Sequence, residues 1–402
     1  MKYSTQVLSI FLIVLLIELS THSIPISPPI VMYFMLYSAL IFLVNIAFNN
    51  VVFNELPLVS KNLFKIYWLY SLFIIFFGFV KATSYWDYKY IFVSYIPGVL
   101  TSLVILIGAD FQKNLYLFKL IINKLFPLAI IIGLVVWSFE FLDIYAHSTA
   151  RLTSIVFIFI LAFPFLKPTH RYLIIFISVL SILIEPGYRA NVIRIIISWV
   201  CVFFYYFFLL KPRIINILSS IIILLPLFFL QAGIQGKLDV FKYLSESNLE
   251  AGISKANTRS ILYEEVLWSL NSGSSNLIIG GGASAGHYSE IYFEKKTAKQ
   301  VNIRYQTEVG FLNTLFKSGL VGVIFDLLII LIPAYYAVNY SRNNFSKILG
   351  FYLIFSWIFY FVERPLMLNI NNFLFFLIIG ICLNKTFRDS TDNEIKYLLK
   401  SI

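Results

Sequence analysis

Two arginines at the start of an apolar run are the first residues whose type and position suggest chemistry. Arg189 and Arg194 follow a Glu-Pro-Gly-Tyr sequence at residues 185–188, where one apolar run ends and the next begins. An arginine inside a membrane-spanning helix is energetically unfavourable unless it is paired or faces a polar cavity. Such an arginine is therefore a candidate for a functional site. An ion pair with Glu185, or a guanidinium that extends to the membrane surface, is the alternative.

A second cluster of ionisable residues precedes the apolar run at residues 311–337. Arg304 and Tyr305 come just before Glu308, which begins a stripe with steps of three and four residues if the segment is helical. Glycines in the stripe allow close helix contact, so we expect this face to point into a helix bundle. Glu308 would lie at its rim, and Asp326 would be a deeper structural partner. The stripe consists of Glu308, Leu312, Leu315, Gly319, Gly322 and Asp326.

The long polar stretch between these clusters carries the remaining candidates. Arg259 opens a helical-looking run that contains Trp268 and two glutamates, a pattern typical of a solvated ion pair. The glycine-rich turn at residues 280–286 lacks the Gly-Lys-Ser/Thr ending of a phosphate loop. We expect a hinge there, although the N–H groups of such a turn can also approach an anion. His287 stands alone and is expected at the surface.

No metal site and no disulfide are predicted. His287 has no neighbouring ligand at a suitable spacing, and Cys201 and Cys382 lie in separate apolar runs without a Cys-x-x-Cys pattern. Both cysteines are expected to be small buried hydrophobic residues.

The composition identifies the class of protein that must position these residues. The chain has 402 residues, of which 59% are hydrophobic and only 13% charged, and its mean hydropathy is +0.84. This predicts an all-α, polytopic integral membrane protein. The net charge is +11, but the basic residues lie mostly in short turns between apolar runs, so no nucleic-acid partner is predicted.

Apolar runs of about 17–25 residues predict about twelve membrane spans. The run from Lys2 to Ile17 is interpreted as a retained span, because prolines end it and no small-x-small cleavage site follows. We predict a transmembrane bundle of about nine spans at 1–230, a large, partly helical loop at 231–310, and about three spans with a tail at 311–402. The other runs lie near 28–48, 63–80, 89–108, 117–141, 152–166, 171–185, 190–210, 214–231, 311–337, 346–362 and 367–384.

The basic residues of the short loops predict the orientation. With a cytoplasmic N-terminus, most of them fall on the inner side, which is the pattern that the positive-inside rule requires. Both termini are therefore predicted to be cytoplasmic and the large loop to face outward. No internal repeat is visible, so an inverted-repeat transporter has no direct support. The outer loops and outer helix ends receive Lys81, Lys89, Arg151, Arg189, Arg194 and Arg364.

The order of these motifs resembles the superfamily of O-antigen polymerases and O-antigen ligases. The resemblance rests on Gly-Tyr-Arg189 at the head of a span, Asn-Thr-Arg259 with Trp268 and a glycine-rich turn, and Glu308 before the spaced leucines and glycines. It covers the second half of the chain by motifs and the first half by hydropathy. Members have about a dozen spans and a large periplasmic loop late in the chain. The ligase branch carries a histidine where this chain has Glu308, so the chain is more similar to the polymerase branch.

The resemblance implies a glycosyltransferase of the bacterial inner (cytoplasmic) membrane that uses undecaprenyl-diphosphate-linked glycans, without a nucleotide sugar, a metal or another cofactor. A sugar hydroxyl of one lipid-linked repeat unit would attack the anomeric carbon of another chain, and undecaprenyl diphosphate would leave. Arg189 and Arg259 are expected to stabilise the diphosphate and Glu308 to act as a base. Further substrate contacts are expected from Arg194, Arg304, Tyr188, Tyr305, Trp268 and His287.

The implied partners are the lipid-linked oligosaccharide, membrane lipid, a chain-length regulator and a flippase. Within the family, the alternative is an O-antigen ligase that moves a finished glycan onto lipid A-core. From another class, the alternative is a transporter or a flippase for lipid-linked oligosaccharides. A flippase should place charge along several helices at mid-membrane, whereas the charge here gathers at the predicted outer face.

Overall fold

The fold is built almost entirely from helices. The computed structural model describes residues 9–10, 12–14, 29–48, 53, 56–111, 117, 155–184, 189–208, 211–234, 258–273, 275–289, 303–362 and 367–400. The helices are α1 (Pro29–Phe48), α2 (Leu58–Lys81), α3 (Tyr85–Ala109, with a π-helical turn at Ile91–Tyr95), α4 (Val156–Ala162), α5 (Pro168–Ile184), α6 (Arg189–Phe208), α7 (Pro212–Ile234), α8 (Thr258–Asn271), α9 (Gly310–Asn339), α10 (Asn344–Val362), α11 (Ile370–Leu383), α12 (Lys385–Asp389) and α13 (Asp392–Lys400).

Four of these helices, namely α2, α3, α9 and α10, are long and apolar enough to cross a membrane. Shorter apolar stretches lie in α1, α4 to α7 and α11. The bounds follow the apolar runs of the sequence closely, so the mostly helical, membrane-embedded class agrees with the prediction. The predicted runs at 2–17 and 117–141 lie largely outside the described residues.

Helix α9 is the centre of the packing. It contacts α10 and α2 extensively, and α10 in turn packs against α6 and α7. Helix α11 lies along the second half of α3, where Gly108 and Gly380 bring the two backbones together. A Cβ atom on Gly380 would lie 2.2 Å from the carbonyl oxygen of Ile105, so the contact requires glycine. Small residues serve close helix packing in this way in membrane proteins.

Helix α9 differs from the continuous helix that the sequence pattern predicts. It begins at Gly310, so Glu308 precedes the helix and is not its first inward-facing residue. It is interrupted at Gly319, whose φ of 63° and ψ of −167° are not helical. Leu312, Leu315 and Gly322 are buried as expected, but they lie on two helical segments rather than on one stripe.

The described part of the large loop folds against the end of the bundle where α9 begins. It contains α8, the glycine-rich turn and a two-stranded antiparallel sheet of β1 (His287–Tyr288) and β2 (Ile303–Arg304). His287 pairs with Arg304 in this sheet. Ser94 in α3 donates a hydrogen bond of 3.0 Å to Gln306, which fixes the segment after β2 to the bundle.

The C-terminal helices α12 and α13 lie at the other end of α9. The side-chain amide of Asn343 donates a hydrogen bond of 2.7 Å to the carbonyl oxygen of Phe387, and the backbone amide of Asn344 donates one of 2.7 Å to Asp392. The described part of the large loop and the C-terminal helices thus occupy opposite ends of α9, as expected if the two regions lie on opposite sides of a membrane.

Candidate functional site

The glycine-rich turn is inserted against the interruption of α9. A broken helix leaves backbone C=O and N–H groups that must find partners in apolar surroundings. The turn and α2 supply these partners. Before the interruption, carbonyl oxygens of α9 accept hydrogen bonds: Phe316 O from the amide of Gly281 (2.9 Å), Lys317 O from the amide of Gly282 (3.0 Å) and Ser318 O from the hydroxyl of Tyr70 (2.6 Å). After the interruption, amides of α9 donate hydrogen bonds: Leu320 N to Leu277 O (2.9 Å) and Val321 N to Ile278 O (3.1 Å).

Two glycines make this contact possible, in which residues 277–282 pack against residues 316–321 of α9 and which is called the joint below. Gly280 and Gly319 have φ values of 79° and 63°, and their Cβ atoms would each lie 2.2 Å from a carbonyl oxygen, that of Lys317 for Gly280 and that of Ile278 for Gly319. The turn is therefore a packed joint rather than the hinge predicted from sequence. Because the amides of Gly281 and Gly282 are already bonded, they do not form an open anion-binding nest.

A small polar cavity of about 20 Å³ lies between α2, α3 and α9 beside this joint. The side chain of Lys317 lines it and is only 3% exposed, with its ammonium 5.8 Å from the centre of the Tyr95 ring. The hydroxyls of Tyr95 and Ser318 are hydrogen-bonded to each other at 2.9 Å. Among the described residues, no carboxylate lies within 4.0 Å of the Lys317 ammonium.

Asp326 lies on the same cavity and fastens three segments together. Its Oδ2 accepts hydrogen bonds from Thr314 Oγ1 (2.9 Å) and from the hydroxyl of Tyr360. Thr314 precedes the interruption of α9, Asp326 follows it, and Tyr360 belongs to α10. These contacts fit the structural role that the sequence suggested for Asp326.

Glu308 and Arg304 form the rim of the site. The Glu308 side chain is 62% exposed, and its Oε1 lies 3.9 Å from Nη2 of Arg304. That distance is too long for a hydrogen bond, and an exposed pair of this kind contributes little to stability. The Glu308 carboxylate is therefore open to solvent and accessible to a hydroxyl group that approaches from outside.

Tyr305 holds the rim to α3. Its hydroxyl donates a hydrogen bond of 2.8 Å to Asp87, and its ring stacks on Tyr90 with centroids 4.6 Å apart. Burial is the main cause that raises the pKa of Tyr305 above its ordinary value. The residue was expected to contact substrate, and in this geometry its hydroxyl and one ring face are occupied by α3.

His287 is buried, which corrects the prediction of a surface histidine. It is 3% exposed, its Nε2 lies 3.9 Å from Oε2 of Glu265, and its ring meets Phe316 edge to face. Burial, followed by the positive charges of Arg304 and Lys317, lowers the pKa of His287 to about 4. The imidazole is neutral at neutral pH and lies between Glu265 of α8 and Phe316 of α9.

Trp268 presents an aromatic surface on the outside of the loop. Its side chain is 60% exposed, and its ring lies 5.9 Å from that of Tyr288, which is also exposed. Aromatic rings with an open face offer large contact area at low entropic cost. This pair is suited to stacking against a sugar ring.

A second polar cavity, of about 30 Å³, is built around Arg194 between α6, α10 and α11. The guanidinium of Arg194 is 4.8 Å from the centre of the Phe359 ring, and the residue is 8% exposed. Its Nη1 has no hydrogen-bond partner among the residues that the structure describes. Ser356 and Asn371 contribute polar groups to the cavity wall. The arginine thus faces a polar cavity, one of the arrangements expected from the sequence.

The loop brings several predicted residues together. Arg304, Tyr305 and Glu308 form the rim, His287 lies beneath it, and Arg194 occupies a separate cavity. Helix α6 begins at Arg189, and Arg259 lies in the first turn of α8, but the side chains of both lie outside the described residues, as does all of Tyr188.

Lys317 is the residue that the sequence interpretation missed. The signal was present, because a lysine in the apolar run of residues 311–337 falls under the same rule that singled out Arg194. Lys317 does not belong to the stripe of glycines and leucines from which the inward-facing side of this helix is predicted. In the described ranges, no three His, Cys, Asp or Glu residues are grouped so that they could hold a metal ion.

The fold and the site define a membrane-embedded, α-helical protein with polar cavities among its helices and a loop packed over one end. No family model, curated protein or solved structure matches this chain.

Proposed function

We propose that this chain is a polymerase of O-antigen, or of a related surface polysaccharide, in the bacterial inner membrane. It spans the membrane about twelve times, with both termini in the cytoplasm and the large loop in the periplasm. It transfers a growing glycan from undecaprenyl diphosphate to the terminal sugar of another lipid-linked repeat unit. The chain-length regulator and the flippase of the same system are its proposed protein partners.

The reaction needs cations at the leaving group and a proton acceptor at the attacking group. A sugar hydroxyl forms the new bond to the anomeric carbon, the bond from that carbon to the diphosphate oxygen breaks, and the hydroxyl proton is lost. Negative charge accumulates on the diphosphate, which cations stabilise best when they are already in place. We assign this role to Arg189 and Arg259 with help from Arg194, and the proton to Glu308 at the exposed rim.

The observation that carries the proposal is the buried guanidinium of Arg194. Its Nη1 lies beside a polar cavity and has neither a hydrogen-bond acceptor nor a carboxylate partner among the described residues. A planar guanidinium suits the oxygens of a phosphate group, and a buried charge without a partner is strongly unfavourable. The cavity has room for a group of about the size of one water molecule or one phosphate oxygen. An anionic substrate group would supply the partner that the described residues do not provide.

The loop supplies the surface that a glycan would meet. The exposed pair of Trp268 and Tyr288 offers an aromatic face, and Glu308 and Arg304 offer polar groups at the start of α9. This combination of an apolar face and a few polar groups is typical of small-molecule binding sites.

The test is to profile surface polysaccharide in cells that carry variants of Arg194. We expect Arg194→Met to give lipid A-core capped with a single repeat unit at normal protein level, and Arg194→Lys to restore little polymer because lysine lacks the guanidinium fork. Arg213→Met is the matched control, because Arg213 is exposed in the first turn of α7. A normal polymer ladder from Arg194→Met would remove Arg194 from the site and, with it, the main support for the proposal.

A deletion strain separates polymerase from ligase. Loss of a polymerase leaves core capped with one repeat unit, whereas loss of a ligase leaves naked core and an accumulation of lipid-linked polymer. We expect the first result.

The interrupted helix α9 favours a transporter as the second candidate, because transporters often bind substrate at broken helices. In such sites the freed backbone groups face the ligand, whereas here the chain's own glycine-rich turn occupies them. A transporter or flippase mutant would hold its lipid-linked single repeats on the cytoplasmic side and leave the core uncapped.

A further inference from the structure

Lys317 is a buried cation that forms no ion pair in the described part of the fold. No described hydrogen bond involves its ammonium, and no described carboxylate lies within 4.0 Å of it. A methionine of similar length would fill the same space without carrying a charge into the helix bundle, and replacement of buried charges by apolar residues is often stabilising. The described contact of the Lys317 ammonium is with the Tyr95 ring, 5.8 Å away, and this contact leaves the N–H donors of the ammonium without a hydrogen-bond acceptor among the described residues.

The cavity beside Lys317 contains several hydrogen-bonding groups besides the ammonium. The hydroxyls of Tyr95 and Ser318 lie on it, and Ser94 and Asn313 add further polar groups. Asp326 also lines the cavity, but its carboxylate accepts hydrogen bonds from Thr314 and Tyr360. Those two hydrogen bonds use part of the acceptor capacity of the carboxylate. They direct it towards Tyr360 of α10 and towards Thr314, which precedes the interruption of α9, and it forms no ion pair with the lysine.

The position of Lys317 is fixed by the joint in α9. Its carbonyl oxygen accepts the hydrogen bond of Gly282, and Gly319 two residues later ends the first segment of the helix. The side chain therefore starts from a backbone that the loop holds in place. A cation that is positioned before the ligand arrives needs no reorganisation on binding.

We infer that Lys317 is a phosphoryl-binding residue, and that the cavity between α2, α3 and α9 receives one anionic oxygen of the phosphoryl group of a lipid-linked substrate or its leaving group. This inference rests on the proposed function and adds to it a cation on α9, at the residue whose carbonyl oxygen accepts a hydrogen bond from the loop. A volume of about 20 Å³ has room for one oxygen and not for a whole phosphate group.

The experiment measures thermal unfolding of the purified full-length protein in detergent. The probes are undecaprenyl phosphate, presented in mixed micelles, and sodium pyrophosphate. We expect the wild type to be stabilised by the lipid, and Lys317→Met to unfold at a higher temperature than the wild type without probe but to gain no more than a small fraction of the wild-type shift with it. Lys347→Met in α10 is the matched control and should retain the full shift.

The arms of the test separate the sources of the anion. A shift with the lipid alone assigns a lipid-borne phosphoryl group, and a shift with both probes assigns the phosphoryl group irrespective of the lipid. The inference is overturned if neither probe stabilises the wild type, or if Lys317→Met responds as fully as the wild type does. Because binding is measured without glycosyl transfer, a Lys317-dependent shift would stand even if the protein proved not to be a polymerase. A normal polymer ladder in cells with Lys317→Met would instead leave the polymerase intact and remove Lys317 from it.

Discussion

The amide of Gly282 donates a hydrogen bond of 3.0 Å to the carbonyl oxygen of Lys317, and this bond ties the large loop to the residue that lines the polar cavity. Gly281 makes the equivalent bond to Phe316, against which the buried ring of His287 packs. The loop, the interruption of α9 and the cavity therefore form one unit. A change that displaces the glycine-rich turn will also displace the Lys317 side chain.

The joint predicts that Gly319→Ala is strongly destabilising. The φ of 63° and ψ of −167° belong to a region that essentially only glycine occupies, and strain of this kind costs about 1–3 kcal/mol. The added Cβ would also lie 2.2 Å from the carbonyl oxygen of Ile278, which adds a steric clash. We expect a clearly lower unfolding temperature in detergent, together with loss of polymer in cells.

Gly273→Ala provides the control for this prediction. Gly273 also has a positive φ, of 80°, but a Cβ atom there would meet nothing within 4 Å. The Gly273→Ala variant should lose only the stability that a positive φ costs a residue with a Cβ atom, about 1–2 kcal/mol. Equal losses for the two variants would mean that the contact between the turn and α9 contributes no stability.

His287 predicts a pH dependence of the loop's stability. Its folded pKa of about 4 lies below the unfolded value of 6.5, so the unfolded chain takes up the proton first as the pH falls. The neutral buried form is fully compatible with folding above pH 6.5, and stability is lost between pH 6.5 and 4. By pH 4 the loss would amount to about 3 kcal/mol at most.

The measurement compares the wild type with His287→Gln, which cannot take up a proton in this range. The wild type should lose more stability than the variant when the pH is lowered from 6.5 to 4. The charged neighbours of His287, namely Glu265, Arg304 and Lys317, are present in both proteins, so the comparison isolates the effect of the imidazole. Parallel pH profiles would show that His287 is not buried as a neutral group.

The helices could be predicted from the sequence because each apolar run has the length of a span and glycine, proline or polar residues at its ends. The interruption at Gly319 could not, because it depends on a turn about forty residues earlier in the chain that supplies its hydrogen bonds. The spacing of Glu308 also fits a helical stripe, although α9 begins only at Gly310. The burial of His287 likewise depends on contacts with Glu265 and Phe316, which no local pattern reveals.

The topology predicts opposite sides for the large loop and the C-terminal tail. Asn248 lies in the loop and Asn393 in α13, and the described parts of the two regions pack at opposite ends of α9. Reporter fusions should place Asn248 in the periplasm and Asn393 in the cytoplasm, as the distribution of basic residues requires. Fusions that report the same side for both positions would contradict the orientation and the span count together.

The proposed base, Glu308, gives the last prediction. Its carboxylate is 62% exposed, precedes α9 and lies 3.9 Å from Arg304, so two roles are open to it. As a base it would accept the proton of the acceptor hydroxyl. As a charge near the start of a helix it would add only about 0.3–1 kcal/mol of stability through the helix dipole.

Glu308→Gln separates these two roles, because glutamine keeps the size of the side chain but cannot accept the proton. A base predicts a fall in rate of roughly 10²–10⁴-fold, with normal expression and single-repeat product. Glu264→Gln is the matched control, since Glu264 is an exposed glutamate on α8 of the same loop and should leave the polymer unchanged. We expect Glu308→Gln to lose polymer while its unfolding temperature changes little, and a full polymer ladder from this variant would end the general-base assignment.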